Sequence, residues 1–354
     1  MCNFDKIQKA LKERGLDAVM ATSEENRRYA TGFPSTDGLA LITADKAWFF
    51  TDSRYIEAAE NAISGAAVVQ VGNNYPYSKA VEDIVISEKI EKLGYEEKTM
   101  NVADYVMWSE KLSVTLIGSQ ELFTALRMVK TEEEIQWMIE AQRIAEKSFL
   151  EVIPMITTDI TEKELTAELM YRFLRNGAED KSFDPIIVSG PRSSLPHGVP
   201  TNEKISKGFI TLDFGVKYNG YCSDTTRTLC IGKPTEEMRK IYDIVLRSQL
   251  AGIEAARGGM RGCDIDKAAR DVIHEAGYGG RFGHGFGHGV GLEIHEAPNL
   301  SPSYDKIVPV GAVVSAEPGI YIPGQFGVRI EDVMIITENG SEDITKLDKE
   351  LIIL

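Results

Sequence analysis

The side chains best suited to chemistry in this sequence are four carboxylates and a glycine-rich histidine cluster, all in its second half. Ile210 to Leu229 reads as a β-hairpin turning at Asn219-Gly220, a dipeptide suited to the positive φ angles of a type I′ turn. If Tyr218 faces Tyr221, counting places Asp213 opposite Thr226 and Asp224 opposite Gly215. The two aspartates are then diagonal neighbours on one sheet face, with Cβ atoms roughly 7 Å apart. Carboxylates at that spacing can converge on shared cations, although one such pair alone reads first as two solvated acids on an outer face. Downstream, residues 313–317 and 328–333 flank a Pro/Gly turn centred near Gly324. Glu317 and Glu331 stand equally far from that centre, which brings them abreast. Both sit in apolar strand runs, where a buried carboxylate is costly unless a proton, a cation or a metal compensates it.

All five histidines (His197, His274, His284, His288 and His295) lie in the C-terminal half, so any chemistry is expected there. Three of them fall within Gly283-His284-Gly285-Phe286-Gly287-His288-Gly289-Val290-Gly291-Leu292-Glu293-Ile294-His295-Glu296. Glycines this dense disfavour a helix and permit turns that aim imidazoles at a site. A lone histidine is more often a satisfied core or surface residue; three beside two acid pairs point to ligation or proton transfer. His274, in the helical stretch 271–275, reads as a surface residue. Cys222 lies two residues from Asp224 and is a conceivable soft ligand. The four cysteines form no C-x-x-C pair, however, and read as small buried or half-buried side chains suited to a reducing compartment.

The elements that must position these groups fall into two expected domains, residues 1–125 and 126–354 of a 354-residue chain. The first alternates helix and strand: a helix over 4–14 ending before Gly15, a strand from Ala18 to Met20, and a strand pair over 39–42 and 47–50 around a polar turn. That pattern is an α/β domain. At Thr131-Glu132-Glu133-Glu134 a capping box opens a long helix, and Thr161-Glu162-Lys163-Glu164 opens a second. Strand-like runs follow from about residue 184, with another helix pair between Glu236 and Gly277. A net charge of −15, with no gathered Lys and Arg, disfavours nucleic acid. No apolar run reaches the roughly 20 residues of a membrane helix. The first residues lack the basic head, apolar stretch and small-residue cleavage site of a secretory leader, so a cytoplasmic protein is expected.

These residues resemble the metallopeptidase family that includes Xaa-Pro dipeptidase (prolidase), aminopeptidase P and methionine aminopeptidase. The resemblance runs through Asp213, Asp224, His288, Glu317 and Glu331, in the family's order, and through the strings LDFG, GHGVGLEIHE, EPGIY and VRIED. It covers nearly the whole chain, because residues 1 to about 125 resemble the creatinase-type N-terminal domain that methionine aminopeptidases usually lack. The implied fold is a creatinase-like α/β N-terminal domain followed by an α+β pita-bread catalytic domain. The resemblance implies that Asp224 and Glu331 bridge two divalent metal ions, that Asp213 completes one site, and that His288 with Glu317 completes the other. It gives His197, His295 and His284 as substrate-binding and active-site histidines, and Arg329 and Tyr321 as holders of the carboxylates. A homodimer is implied by the resemblance alone.

The oxygen-rich ligand set favours manganese, with cobalt, zinc and iron as alternatives. The expected reaction is hydrolysis of the Xaa-Pro bond in a dipeptide by a metal-bridging hydroxide, with Glu317 moving its proton toward the departing nitrogen. His295 and His197 are expected to hydrogen-bond the oxyanion or the substrate backbone. The alternatives are an aminopeptidase P acting on longer Xaa-Pro peptides and a binding protein that kept the fold without the chemistry.

Overall fold

In the computed structural model, which describes residues 2–354, the alternating first half forms a six-stranded mixed sheet. Its order is Ala67–Gln70, Ala47–Thr51, Leu39–Thr43, Ala18–Ala21, Lys92–Tyr95 and Thr115–Gly118. The first three strands in sequence pair antiparallel, and the later ones add in parallel at both edges. The hairpin register is Leu39 with Phe50 through Ile42 with Ala47, and the Thr43 amide donates to the Lys46 carbonyl at 2.9 Å. Residues 18–21, 39–43 and 47–51 are buried throughout, because helices cover both sheet faces and leave no polar alternation.

Residues 128–354 form a second unit, distinct from residues 1–127. Both capping boxes are complete. The Thr131 hydroxyl accepts from the Glu134 amide while the Glu134 carboxylate accepts from the Thr131 amide, and Thr161 with Glu164 does the same. Each cap is worth about 1 kcal/mol to its helix. The helices they open, Glu132–Val152 and Glu162–Arg175, bury Ile144, Phe149, Leu165, Leu169 and Phe173 against Ile210, Leu212 and Phe214. Burying each such side chain contributes about 1.5–3 kcal/mol. A second helix pair, Glu236–Ala255 and Gly262–Glu275, packs its Ile241, Val245 and Ile273 against Phe209, Val328 and Ile330. Each pair is followed by the hairpin that carries one acid pair. Among the described residues no helix is long and apolar enough to cross a membrane.

Candidate metal centre

Strand alternation decides which side chains reach the site. In Gly208–Phe214 the even residues enter the core under the first helix pair, which leaves Thr211 and Asp213 on the opposite face. Thr226 pairs with Asp213, and Tyr218 pairs with Tyr221. The register read from the Asn-Gly turn therefore holds on both sides of Asp224. In the second hairpin Ala316 pairs with Asp332 and Gly319 with Arg329, one register that brackets Glu317 and Glu331. Its turn uses Gly324 at φ 73°, a left-handed conformation that favours glycine. Val314 and Ala316 enter the core beside Ile265 and Ala269, so Ser315 and Glu317 face the site.

His288 lies on the short strand Gly287–Gly289, beside Val313–Ala316. A Cβ at Gly287 would stand 2.0 Å from the Ser315 carbonyl oxygen, so this approach needs glycine. The His288 amide donates to Ser315 Oγ at 3.0 Å, and Ser315 Oγ lies 3.3 Å from Glu317 Oε1. Asp224, His288 and Glu331 each present a ligand atom within 4.8 Å of the others. His288 Nε2 is 3.2 Å from Glu317 Oε1 and 3.6 Å from Asp224 Oδ2. Its Nδ1 lies 3.1 Å from the Gly289 carbonyl, which can only accept. Nδ1 therefore carries a proton and Nε2 is the nitrogen that faces the carboxylates; burial works against a second proton there, but Glu317 outweighs it and raises His288 above the usual imidazole value.

Arg329 braces the carboxylates. Its Nη2 donates to Asp213 Oδ2 at 2.6 Å, its Nε to Thr226 Oγ1 at 3.0 Å, and its Nη1 to Tyr321 Oη at 2.9 Å and the Pro196 carbonyl at 3.1 Å. Thr226 passes the contact on, donating to Glu331 Oε2 at 2.6 Å. Tyr321 Oη is also 2.9 Å from His284 Nε2, while His284 Nδ1 meets the Gly285 carbonyl at 2.9 Å. Both ring nitrogens of His284 are thus engaged.

One buried guanidinium does not balance four carboxylates. Burial, then repulsion from Glu331 and Asp213, raises Asp224 well above the usual carboxylate range. Burial, with Glu317 and Asp213, does the same to Glu331, and burial raises Asp213 despite Arg329. Glu317 differs: burial pushes it up, but His288 and His284 outweigh that and hold it at about 2. Asp213 Oδ1 is buried with no hydrogen-bond partner among the described residues. Hard oxygens, one orphaned, facing an imidazole nitrogen are a donor set that fits a divalent metal ion.

The same cavity, about 500 Å³, is lined by all five of these residues and by His197, His284 and His295. His295 sets its ring edge-to-face against His288 at 4.3 Å. Burial lowers His284, and burial followed by the charge of His288 lowers His295. His274 is exposed on its helix and lies outside the cavity lining. Cys222 is buried, with Sγ directed to the Leu292 carbonyl at 3.8 Å, and is not part of the lining. Thr226 and Ser315 were not legible as support residues. Counting placed Thr226 opposite Asp213, but nothing in sequence shows that its hydroxyl links Arg329 to Glu331. Nor does sequence show that the Asp266–Arg270 pair holds the histidine loop, with buried Asp266 accepting from the Phe286 amide and Arg270 donating to the Phe282 and His284 carbonyls.

Comparison with known proteins agrees with this geometry. The model of metallopeptidase family M24 matches residues 136–338, and that of the creatinase/prolidase N-terminal domain matches residues 4–129. The chain is 39% identical over 352 residues to an Xaa-Pro dipeptidase of Pyrococcus furiosus, covering 99% of each. Among solved structures it is similar to an Xaa-Pro dipeptidase from Bacillus anthracis, with TM-score 0.95, 43% identity and 99% of each chain covered. An X-Pro aminopeptidase from Thermotoga maritima aligns with TM-score 0.94 and 34% identity over 100% of both chains. A creatinase-like α/β domain precedes an α+β pita-bread domain with a divalent-metal donor set, and the chain belongs to metallopeptidase family M24.

Proposed function

We propose that this protein is an Xaa-Pro dipeptidase, hydrolysing the peptide bond ahead of proline in dipeptides with two divalent metal ions, Mn²⁺ by its oxygen-rich donors. The observation that carries the reading is the convergence of four carboxylates and His288 on one cavity that three further histidines also line. In this reading Asp213, Asp224, His288, Glu317 and Glu331 would hold the ions. When bound, the ions supply Lewis acidity toward the scissile carbonyl and lower the pKa of water.

The chain's own groups do the rest. Glu317, whose Oε1 lies 3.2 Å from His288 Nε2 on the cavity wall, accepts the nucleophile's proton and delivers it to the departing proline nitrogen. His295 and His197, exposed on the cavity wall, donate hydrogen bonds where negative charge develops on the substrate carbonyl. His284 braces Tyr321 and, through it, Arg329. Phe183, Ile186 and Ile294 give the cavity an apolar wall suited to a pyrrolidine ring. A tertiary amide has no N–H to offer, so recognition must rest on such a wall and on the carbonyl. The relatives named Xaa-Pro dipeptidase support the choice of substrate. The reading includes a homodimer, as the family resemblance implies, and a reducing cytoplasm, which suits four cysteines without a disulfide.

The test is proline release from an Xaa-Pro dipeptide compared with cleavage of an Xaa-Pro tripeptide under added Mn²⁺. Dipeptide turnover is expected. Turnover of the tripeptide alone makes the protein an aminopeptidase P, and turnover of neither makes it a binding protein.

A further inference from the structure

His197 reaches the cavity from a segment that the apolar core does not hold. Between the strand Ile186–Ser189 and Thr201 the chain makes one short 3₁₀ turn, Gly190–Ser194, and then runs irregularly. Leu195 is 47% exposed and Val199 74% exposed, so the apolar side chains two positions to either side of His197 gain little from burial. Polar bonds hold the segment instead, and those at its two ends meet on one carboxylate.

That carboxylate is Glu162, 1% exposed, in the first turn of Glu162–Arg175. Its Oε1 accepts from the Ser189 amide at 2.9 Å. Its Oε2 accepts from the Thr201 amide and the Thr201 hydroxyl, both at 3.0 Å, and from Arg192 Nε at 3.2 Å. Arg192 Nη2 then donates to the Val199 carbonyl at 2.6 Å. A single buried anion thereby fixes both ends of the segment and, through Arg192, the residue two positions past His197. From the metal side, Arg329 holds the carbonyl of Pro196, the residue before His197.

We propose that Glu162 is a positioning residue for His197, setting the backbone from which that imidazole faces the substrate. The proposal rests on the reading of His197 as a substrate-facing donor. An acid in a helix's first turn also stabilises the helix through its dipole. That role changes stability but does not couple to His197, and coupling is therefore what the experiment must read.

The experiment is a double-mutant cycle on dipeptide hydrolysis, with kcat, KM and bound metal measured for the parent, Glu162→Gln, His197→Ala and the double variant. A displacement near 1 Å of a substrate-facing group lowers rates by up to about 10²-fold. Glu162→Gln is expected to lose ~10- to 100-fold in kcat/KM with metal content unchanged, and to cost less than ~2-fold further once His197 is alanine. An equal loss in both backgrounds overturns the proposal and leaves the His197 reading intact. Parent-level activity in His197→Ala overturns that reading, and the proposal with it. Hydrogen exchange supplies a readout independent of turnover: amides 190–200 should exchange faster in Glu162→Gln while those of 165–175 do not, and unchanged exchange in the segment overturns the proposal. Should Glu162→Gln fail to fold, Thr201→Val removes one donor and runs through the same cycle, with a smaller loss that must likewise vanish in His197→Ala.

Discussion

Replacing Thr226 by valine keeps the shape of a fully buried side chain and removes one hydroxyl. That hydroxyl accepts from Arg329 Nε at 3.0 Å and donates to Glu331 Oε2 at 2.6 Å, so the change breaks one bond to a cation and one to a carboxyl that burial and neighbouring carboxylates raise well above the usual range without metal. The first contributes about 1.5–3 kcal/mol and the second about 0.5–1.5 kcal/mol. Their joint loss is expected to cost the metal-free protein about 2–4.5 kcal/mol. For a unit of this size, unfolding temperature should fall by on the order of 10 °C. Groups that orient ligating carboxylates contribute about 10–100-fold to metal affinity, or about 1.4–2.8 kcal/mol. Calorimetric Mn²⁺ titration and thermal unfolding with and without metal measure both effects. Thr226→Ser, which retains the hydroxyl, serves as the control and should stay within about 10-fold of the parent in affinity. If Thr226→Val binds Mn²⁺ as tightly as the parent and melts at the parent's temperature, the bracing of Glu331 by Arg329 through Thr226 is wrong.

Three further outcomes follow from the same geometry. His295→Ala should keep its metal and lower kcat, measured by steady-state kinetics with metal analysis; a change confined to KM would count against a role at the developing oxyanion. Phe214, fully buried and stacked on Phe149 at 5.0 Å, should cost about 3–5 kcal/mol when changed to alanine, read by denaturant unfolding. Burial raises Glu146 against the pull of the Lys346 amide and Arg143. A raised folded value gives stability that is present below the unfolded glutamate value and lost as pH climbs through the folded one. The unfolding temperature of Glu146→Gln relative to the parent should therefore increase from acid to neutral pH, and a difference that stays flat contradicts the shift.

The parts of the site that could be read in sequence are those fixed by local geometry. Asn219-Gly220 sets a turn, the turn sets a register, and the register carries Asp213 and Asp224 to one face. The spacing of Glu317 and Glu331 about Gly324 works in the same way. The helices were legible because Thr131 and Thr161 announce them with capping boxes that the structure forms in full. What stayed hidden depends on long-range meetings. Glu162 reads as one acid of a helix start, and only folding brings Ser189, Arg192 and Thr201 to it. Lys130 and Glu296 form a buried pair at 2.7 Å across 166 positions, with no local pattern to mark either. Thr226 sits among Thr225 and Thr228, and composition cannot say which hydroxyl meets a carboxylate. Tautomers are equally invisible: the engagement of both His284 nitrogens follows from two contacts that only coordinates supply.

Hydrolysis by this protein depends above all on the buried carboxylates and His288 acting together as a metal-holding set. Metal content and dipeptide turnover of the purified parent, measured beside Asp224→Ala and Glu331→Ala, test this most directly. The parent should carry close to two divalent ions per chain, by the two-metal logic of such sites, and each variant should lose metal and turnover together. A parent that hydrolyses Xaa-Pro without bound metal, or a variant that keeps full activity, would contradict it.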